Sequence, residues 1–317
     1  MTIGWLDPAI ETRNTGDHVI SEAIGHELDR LGADMHRLPT RRPWTAAERQ
    51  AAARCDLLVV GGTNLLASHP VFFRQWCYGL RDAVVLRHRC VLFGVGWWQY
   101  QRPPDLTARA MLRSALSQQT VHGARDSYTV RQLARAGIDA VNVTCPTLWR
   151  AQLRGQVRSG FQETVVATVT DYMRDPTGDR AMLTTLRDRA QQLVVWPQGS
   201  KDSDYVRYLG FGDHLVSSSL NTLDRLLDEP DVEYVGTRLH GGARALSRGV
   251  PTVIVEIDNR AAEIAKDVGL WSVRRGDIDR LDVLLDGFDR WELQLPDDAI
   301  ERWRAGLATT LQGHVDR

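Results

Sequence analysis

Short apolar runs alternate with longer amphipathic segments over most of the chain. The apolar runs are rich in β-branched residues and too short for helices, so each predicts a buried strand. They cover residues 2–6, 56–60, 90–95, 140–144, 164–169, 192–196, 232–235 and 252–257. Between them, apolar residues recur three and four positions apart, which predicts helices with one buried face. This alternation predicts an α/β protein with parallel sheets and helices on both faces.

The clearest unit of this kind covers residues 232–270. A predicted strand at 232–235 is followed by a helix at 239–247, and then by a second strand at 252–257. The first strand-to-helix junction consists of Gly236, Thr237, Arg238, Leu239 and His240. Ligands of open parallel sheets bind at such junctions, where a helix N-terminus offers N–H groups without helical partners.

Two side chains at this junction are suited to chemistry. The guanidinium fork of Arg238 matches a phosphate or a carboxylate, and His240 can exchange a proton near neutral pH. The alternative interpretation is that Arg238 is a surface residue and that His240 is a helix residue with a satisfied hydrogen bond. The sequence favours neither interpretation over the other.

Other predicted strand ends carry further candidates. Asn14, Gly16 and Asp17 follow the first strand, where they either face a ligand or serve as a helix cap and turn residues. The remaining candidates for substrate binding are Gly61, Gly62, Thr63, Gly94, Gly96, Arg125, Gln198, Asn259 and Arg260. Glycines at strand ends let backbone N–H groups approach a ligand closely, although any tight turn can use them as well.

The chain of 317 residues is long enough for two domains of ordinary size. The polar, glycine-containing residues 151–160 lack periodicity, so we predict an N-terminal domain at 1–150, a linker at 151–160 and a C-terminal domain at 161–317. Neither half has the glycine pattern of dinucleotide-binding or P-loop enzymes, nor the nucleophile elbow of hydrolases. These enzyme classes are therefore disfavoured.

Charge and cysteine usage limit the expected partners. The formal net charge is −1, so nucleic acid is not an expected partner and any anion site must be built from particular arginines. The four cysteines show no metal-binding spacing, which favours a cytoplasmic protein without a metal site. No leader peptide or apolar run of membrane-spanning length is present in the sequence, so we expect a protein that is not integral to the membrane.

The order of these motifs resembles the polysaccharide pyruvyl transferase family. The resemblance rests on five motifs in this order along the chain. They are Asn14-Thr-Gly16-Asp17, Gly61-Gly62-Thr63, Gly94-Val-Gly96, Ala124-Arg125-Asp126-Ser127, and the Arg238-Leu239-His240 turn with the Gly-Val-Pro that follows its helix. The resemblance implies two Rossmann-like, doubly wound domains that face one another across a cleft, as in the GT-B class. The N-terminal domain would bind the acceptor and the C-terminal domain the donor.

The resemblance also implies a reaction and roles for the residues. Members of the family transfer the enolpyruvyl group of phosphoenolpyruvate to two hydroxyls of a saccharide, giving a cyclic ketal. Arg238 and Arg125 would hold the donor anion, His240 would donate a proton or bind phosphate, and Asp17 would be the base or would orient a hydroxyl. No cofactor is implied beyond the donor itself. The acceptor would be free or lipid-linked, in the cytoplasm or at the inner face of the membrane.

Two positions depart from the family pattern, and two other functions stay open. Many members have Asp-Pro where this chain has Cys145-Pro146, and Lys where it has Asn259-Arg260. Trp97, Trp98 and Tyr100 are predicted either to form an aromatic lip for a sugar or to pack between the domains. The alternative functions are a GT-B glycosyltransferase that uses a nucleotide sugar and a non-catalytic protein that binds sugars or anions. The oligomeric state is not predictable from these patterns.

Overall fold

The computed structural model describes residues 2–71, 75–151, 163–286 and 292–315. The strands are β1 (Thr2–Asp7), β2 (Asp34–Pro39), β3 (Leu57–Gly61), β4 (Cys90–Val95), β5 (His122–Ala124), β6 (Ala140–Asn142), β7 (Thr164–Thr168), β8 (Gln192–Val195), β9 (Val232–Gly236), β10 (Thr252–Glu256) and β11 (Ser272–Arg274). The α-helices are α1 (Thr15–Asp29), α2 (Ala46–Arg54), α3 (Leu80–Leu86), α4 (Leu106–Ala115), α5 (Ser127–Arg135), α6 (Pro176–Arg189), α7 (Asp202–Leu209), α8 (Leu220–Asp228), α9 (Leu239–Ser247), α10 (Asn259–Val268), α11 (Leu281–Leu285) and α12 (Asp297–Val315).

The strands form two sheets, and every pairing in both is parallel. The first sheet has the order β2-β1-β3-β4-β5-β6, and the second has the order β11-β10-β9-β7-β8. Each sheet contains a point at which the strand order reverses, between β1 and β3 in the first and between β7 and β9 in the second. Ligands of such sheets bind at the carboxyl ends of the strands beside that point. The predicted α/β class with two parallel sheets is confirmed.

The hydrogen bonds that cap the helix N-termini are made between residues two or three positions apart. Several helices start with a side chain that accepts a hydrogen bond from an N–H of the first turn, which satisfies a group that the helix itself leaves unpaired. These caps are Thr45, Asp105, Asp126, Asp175, Ser219 and Asp258. The predicted cap of α5 was Ser127, but the structure places Asp126 in that role, because its carboxylate accepts from Thr129 N at 2.7 Å.

Contacts divide the chain into two compact units. The first contains Met1–Thr12, Ile20–Pro146 and Leu295–Arg317, and the second contains Arg13–Val19 and Thr147–Gln294. This division differs from the predicted domains, because residues 13–19 group with the second unit and residues 295–317 with the first. Of the predicted linker at 151–160, all but residue 151 lies outside the described residues.

Helix α12 belongs to the first unit because its apolar face packs on that sheet. The Trp303 ring lies 4.2 Å from that of Phe93, between ring centroids, and Trp303 Nε1 donates to Leu92 O at 3.2 Å. Arg304 Nη2 adds an ion pair with Glu27 Oε2 at 2.6 Å. The predicted C-terminal domain at 161–317 includes this helix because the prediction follows chain order. Chain order does not reveal that the end of the chain packs on the first unit.

Three elements differ from the predictions. The sequence predicts an irregular connection where the structure has β2, because DMHRLP buries only its last two residues at the sheet edge. The pattern over residues 70–87 predicts one helix, and within the described residues of that range the structure has helix only in α3. Helix α7 was missed altogether, since its N-cap residue Lys201 makes no side-chain capping bond and supplies no start signal.

Candidate functional site

The reversal point of the second sheet is formed by close contact between the ends of β7 and β9. Thr237 N donates to Thr168 O at 3.0 Å, and the hydroxyls of Thr170 and Thr237 are 2.8 Å apart. A Cβ on Gly236 would overlap the Thr168 backbone and hydroxyl, so only glycine allows this approach. The predicted binding residues Gly236 and Thr237 therefore shape the edge at which Arg238 begins.

Arg238 is buried at this edge and is paired with a carboxylate. Its Nε donates to Asp202 Oδ2 at 2.9 Å, and its Nη2 donates to Asp202 Oδ1. The side chain of Arg238 is 4% exposed and that of Asp202 is fully buried. We expected the whole fork to face an anion, but two of its three nitrogens are used inside the protein. Of the three guanidinium nitrogens, only Nη1 makes no hydrogen bond to any described residue.

Asp202 also fixes the backbone around the arginine. Its Oδ2 accepts from Gln198 N at 3.2 Å and from Gly199 N at 2.7 Å, and its Oδ1 accepts from Asp171 N at 3.1 Å. Five N–H groups thus converge on one side chain, an arrangement that matches the acceptor-only form of a carboxylate. The loops after β7 and β8 and the start of α9 are held together by this residue.

A second carboxyl lies beside the same guanidinium. Asp171 Oδ1 is 3.5 Å from Arg238 Nη2, and the Asp171 side chain is 18% exposed. Burial raises the pKa of Asp171, and a hydrogen bond to Asp202 and the negative charge of Asp202 raise it further, while Arg238 and Arg174 act in the opposite direction.

Tyr172 joins Arg238 to the second predicted cation of this edge. The Arg238 guanidinium lies over the Tyr172 ring, 4.9 Å from its centroid, and the Tyr172 hydroxyl accepts from Arg260 Nη2 at 2.6 Å. Arg260 Nε also binds the Asp258 carboxylate at 2.9 Å. Arg260, which is a predicted substrate-binding residue, thus contacts the same tyrosine as Arg238. Its neighbour Asn259 is buried in the first turn of α10.

Gln198 connects the loop after β8 to two other segments. Its Oε1 accepts from Gly241 N at 3.1 Å in the first turn of α9, and its Nε2 donates to Asn14 Oδ1 at 3.1 Å. Asn14 Oδ1 accepts in addition from Gly16 N, and a Cβ on Gly16 would overlap the Gln198 amide. The predicted residues Asn14, Gly16 and Gln198 are therefore brought together, and Gln198 caps the helix that carries His240.

The two proposed proton-transfer residues are both buried in first helical turns. His240 is 4% exposed in α9, after Leu239 at 6%, and Asp17 is 1% exposed in α1. Asp17 N donates to Asn14 O at 3.0 Å, which places Asp17 in the segment that Gln198 holds. The structure thus assembles Asn14, Asp17, Gln198, Arg238 and His240 within the second unit.

The glycines of the first unit accommodate protein atoms. A Cβ on Gly61 would come within 2.8 Å of Trp5 and Ile24, and a Cβ on Gly62 would overlap Ile20. Gly94, at φ +62, has the Pro146 ring against the space of its missing side chain. These glycines and Thr63, which adopts φ +57, form tight strand ends, and the packing requirement alone explains the predicted pattern.

Arg125 occupies the space beside Gly96, in the interior of the first unit. It is 1% exposed; its Nη1 donates to Asn64 Oδ1 at 2.6 Å, and its Nε and Nη2 donate to Asp126 Oδ2 at 3.2 and 3.0 Å. A Cβ on Gly96 would overlap this guanidinium. Because all three nitrogens are engaged, Arg125 is not the open anion clamp that we expected.

The aromatic residues after β4 differ in burial. Trp97 is fully buried in the core of the first unit, and its Nε1 donates to Ser68 Oγ and Gln101 Oε1. Tyr100 is exposed and packs edge-on against Tyr128, with 5.1 Å between ring centroids. Trp97 therefore belongs to the core of one unit, and Tyr100 is available at the surface.

Three residues of the second-unit site were not predicted from sequence. They are Asp171, Tyr172 and Asp202. Asp171 and Tyr172 follow β7 by a few residues, so the rule that had selected other strand ends could have found them. Asp202 lies on the missed helix α7, and nothing near it in the sequence signals a partner 36 residues away.

Neither a metal-binding cluster nor a membrane-spanning helix is found among the described residues. In the ranges given above, no group of three or more His, Cys, Asp or Glu side chains is arranged to hold a metal ion. No helix in that part of the chain is long and apolar enough to cross a membrane.

The fold is similar to solved structures of UDP-GlcNAc 2-epimerases. The enzyme from Methanocaldococcus jannaschii, in complex with UDP-GlcNAc and UDP, matches with a TM-score of 0.57 and 11% identity, over 98% of this chain and 99% of that chain. The enzyme from Neisseria meningitidis, bound to UDP-GlcNAc, matches with a TM-score of 0.51 and 11% identity, over 99% and 100%. The class is therefore that of GT-B folds with two Rossmann-like domains.

The family is shown by sequence. The model of the polysaccharide pyruvyl transferase family matches residues 14–196, which is more than half of the chain, and the chain belongs to that family. No curated protein sequence matches the chain. The matched range ends just after β8, so it includes the loop of Asp171 and stops short of the Arg238 turn.

Proposed function

We propose that this protein transfers the enolpyruvyl group of phosphoenolpyruvate to two hydroxyls of a saccharide, forming a pyruvate ketal and inorganic phosphate. The observation that carries the proposal is the position of Arg238 and His240 at the reversal point of the second sheet in a member of this family. A trianionic donor needs cations and N–H groups at that edge, and the start of α9 supplies both.

We assign donor binding and proton transfer to different residues of the second unit. Arg238, through its Nη1, binds the donor carboxylate or phosphate, and Arg260 adds positive charge beside Tyr172. His240 donates a proton, either to the methylene carbon or to the leaving phosphate. Asp17 takes the proton of the attacking hydroxyl. Thr237 and Leu239 lie on either side of Arg238 in the chain, between the end of β9 and the start of α9.

The proposed reaction balances without a redox partner or metal. The methylene carbon of the donor gains one proton with the electrons of its double bond, and the neighbouring carbon accepts the first hydroxyl oxygen. The carbon–oxygen bond to phosphate then breaks with its electron pair, and the second hydroxyl closes the ring. Of the two hydroxyl protons, one replaces the proton given to the methylene carbon and the other leaves on phosphate.

The acceptor is a saccharide, free or lipid-linked, in polysaccharide synthesis. We propose a cytoplasmic reaction, at the inner face of the membrane if the acceptor carries a lipid, because none of the four cysteines, all within the described residues, forms a disulfide. The decisive experiment measures phosphate release from phosphoenolpyruvate with a panel of mono- and disaccharides, and detects the ketal by its mass. No phosphate release and no ketal with any acceptor would contradict the proposal.

A second candidate is an enzyme that acts on a nucleotide sugar. Its basis is the fold similarity to the epimerase solved with UDP-GlcNAc and UDP. In this chain the diphosphate of a nucleotide sugar would bind at the N-terminus of α9. Thermal shift separates the two, because a ligand at a hundred times its Kd stabilises by about 2.7 kcal/mol. Phosphoenolpyruvate should raise the Tm and nucleotide sugars should not; the reverse result favours the second candidate. A Tm rise with saccharides or anions but no turnover would indicate a non-catalytic binding protein.

A further inference from the structure

Asp171 and Asp202 share one guanidinium but differ in their surroundings. Both have an oxygen next to Arg238 Nη2. Asp202 is fully buried and accepts from the backbone of two loops, whereas Asp171 reaches the surface and accepts no hydrogen bond from a backbone N–H among the described residues. Asp202 is therefore committed to hydrogen bonds within the protein, whereas Asp171 is in a position to exchange a proton with a ligand.

The charge around the site favours a proton on Asp171. Asp171, Asp202 and Asp258 would contribute three negative charges against three positive charges from Arg174, Arg238 and Arg260, a net of zero. A proton on Asp171 gives the site a net charge of +1, which attracts a trianionic donor. Burial and Asp202 also raise the pKa of Asp171, because both disfavour its ionised form. A bound anion would favour the protonated form further.

The backbone that carries Asp171 is held from several sides. Arg174 Nε donates to Asp171 O at 3.0 Å, and Arg275 Nη1 donates to Met173 O at 2.5 Å. Asp175 N, at the end of the same turn, donates to the Tyr205 hydroxyl at 3.1 Å. An acid must be placed within a fraction of an ångström to transfer a proton, and these bonds supply that rigidity.

We propose that Asp171 is the general acid that protonates the methylene carbon of the donor, and that His240 acts at the phosphate. The proposal rests on the proposed function. In the step, the Asp171 O–H bond breaks and the electrons of the donor double bond form the new C–H bond, leaving Asp171 as a carboxylate. One proton from the acceptor hydroxyls then returns to Asp171 and restores it for the next turnover.

The test compares Asp171→Asn and Asp171→Glu with wild type. Asp171→Asn keeps the shape but has no acidic proton, so kcat should fall by about 10²-fold or more with a small change in KM for phosphoenolpyruvate. In wild type, kcat should decrease as pH rises through the pKa of Asp171, because the acid must be protonated. Asp171→Glu should retain that decrease, and Asp171→Asn should lose it. Asp204→Asn, an exposed aspartate on α7, is the matched control and should behave as wild type.

A second readout does not depend on turnover. Infrared difference spectra between wild type and Asp171→Asn should contain a protonated carboxyl band at a pH at which an ordinary aspartate is ionised, and Asp204→Asn should not remove this band. Wild-type turnover by Asp171→Asn, or absence of the band, overturns the inference while the proposed function stands. If wild type itself releases no phosphate from phosphoenolpyruvate, the proposed function fails and the inference fails with it.

Discussion

Arg238 and Asp202 form a bidentate ion pair in the interior of the second unit, at the carboxyl ends of the strands, which is where open parallel sheets generally bind ligands. Burying two charges is costly, and such a pair stabilises a fold mainly when further hydrogen bonds satisfy the remaining atoms. Here three backbone N–H groups bind the same carboxylate. The pair therefore orients the arginine and fixes which of its nitrogens can reach a substrate.

Removing the negative partner should destabilise the second unit. Asp202→Asn leaves Arg238 without a full counter-charge, and breaking a buried pair in this way costs about 3–5 kcal/mol. Ionisation of Asp171 would soften the loss, so the double variant with Asp171→Asn should lose more than the sum of the two single variants. Urea unfolding followed by circular dichroism measures both. The exposed Asp204→Asn should change the free energy of unfolding by no more than about 0.5 kcal/mol.

Gly96 should tolerate no side chain, because Arg125 fills the space. Gly96→Ala forces the guanidinium away from Asn64 and Asp126, which we expect to cost about 1–3 kcal/mol of unfolding free energy. Gly25, in the interior of α1, is the matched control in the same unit. A Cβ there would be 3.5 Å from Trp5, an ordinary contact, so Gly25→Ala should stabilise by about 0.5–1 kcal/mol. Equal effects of both changes would contradict the packing interpretation.

Glu233 should make the protein less stable as pH rises from 5 to 8. It is 1% exposed on β9, and burial raises its pKa from 4.5 to about 7, with Arg189 opposing and Asp286 adding to the rise. Because the folded state holds the proton more tightly, stability is lost between the unfolded and the folded pKa, by about 3 kcal/mol at most. The measurement is urea unfolding at several pH values.

The control for Glu233 uses a neighbouring glutamate. Glu233→Gln should remove most of this pH dependence and make the protein more stable than wild type at pH 8. Glu229→Gln, at an exposed position after α8, should leave the dependence unchanged. The same pH dependence in wild type and Glu233→Gln would show that Glu233 is ionised at little cost.

Arg238 and His240 should differ in which kinetic constant they control. Arg238→Lys cannot pair with both Asp202 oxygens and also offer Nη1, so KM for phosphoenolpyruvate should rise. His240→Gln preserves hydrogen bonding but not proton transfer, so kcat should fall by about 10²-fold with a smaller change in KM. Circular dichroism should show both variants folded. Normal turnover by His240→Gln would make His240 a structural residue.

The sequence predicted the parts of the fold that depend on local patterns. Most strands and helices were found because apolar spacing and caps such as Thr45 act over a few residues. Strand β2 was not predicted because an edge strand buries few side chains. Helix α7 was not predicted because Lys201 makes no side-chain capping bond. The family could be recognised because its motifs keep their order along the chain.

The chemistry of the site was less predictable, since it depends on contacts between distant residues. Glycine patterns such as Gly61-Gly62 do not reveal whether a ligand or a neighbouring side chain fills the space, and here Trp5, Ile20 and Ile24 fill it. Likewise, nothing in the sequence shows that Asp202 occupies most of the Arg238 fork. Electrostatic roles follow from such pairings, so the sequence identified Arg238 but not its partner.

The five hydrogen bonds of Asp202 have a consequence for hydrogen exchange. The amide hydrogens of Asp171, Gln198 and Gly199 all end on this one carboxylate, although they belong to two different loops. Loop amides usually exchange through small local openings, each independent of the others. These three can exchange only when the carboxylate releases them, so they should exchange at a common slow rate and behave as one cooperative unit of the folded chain.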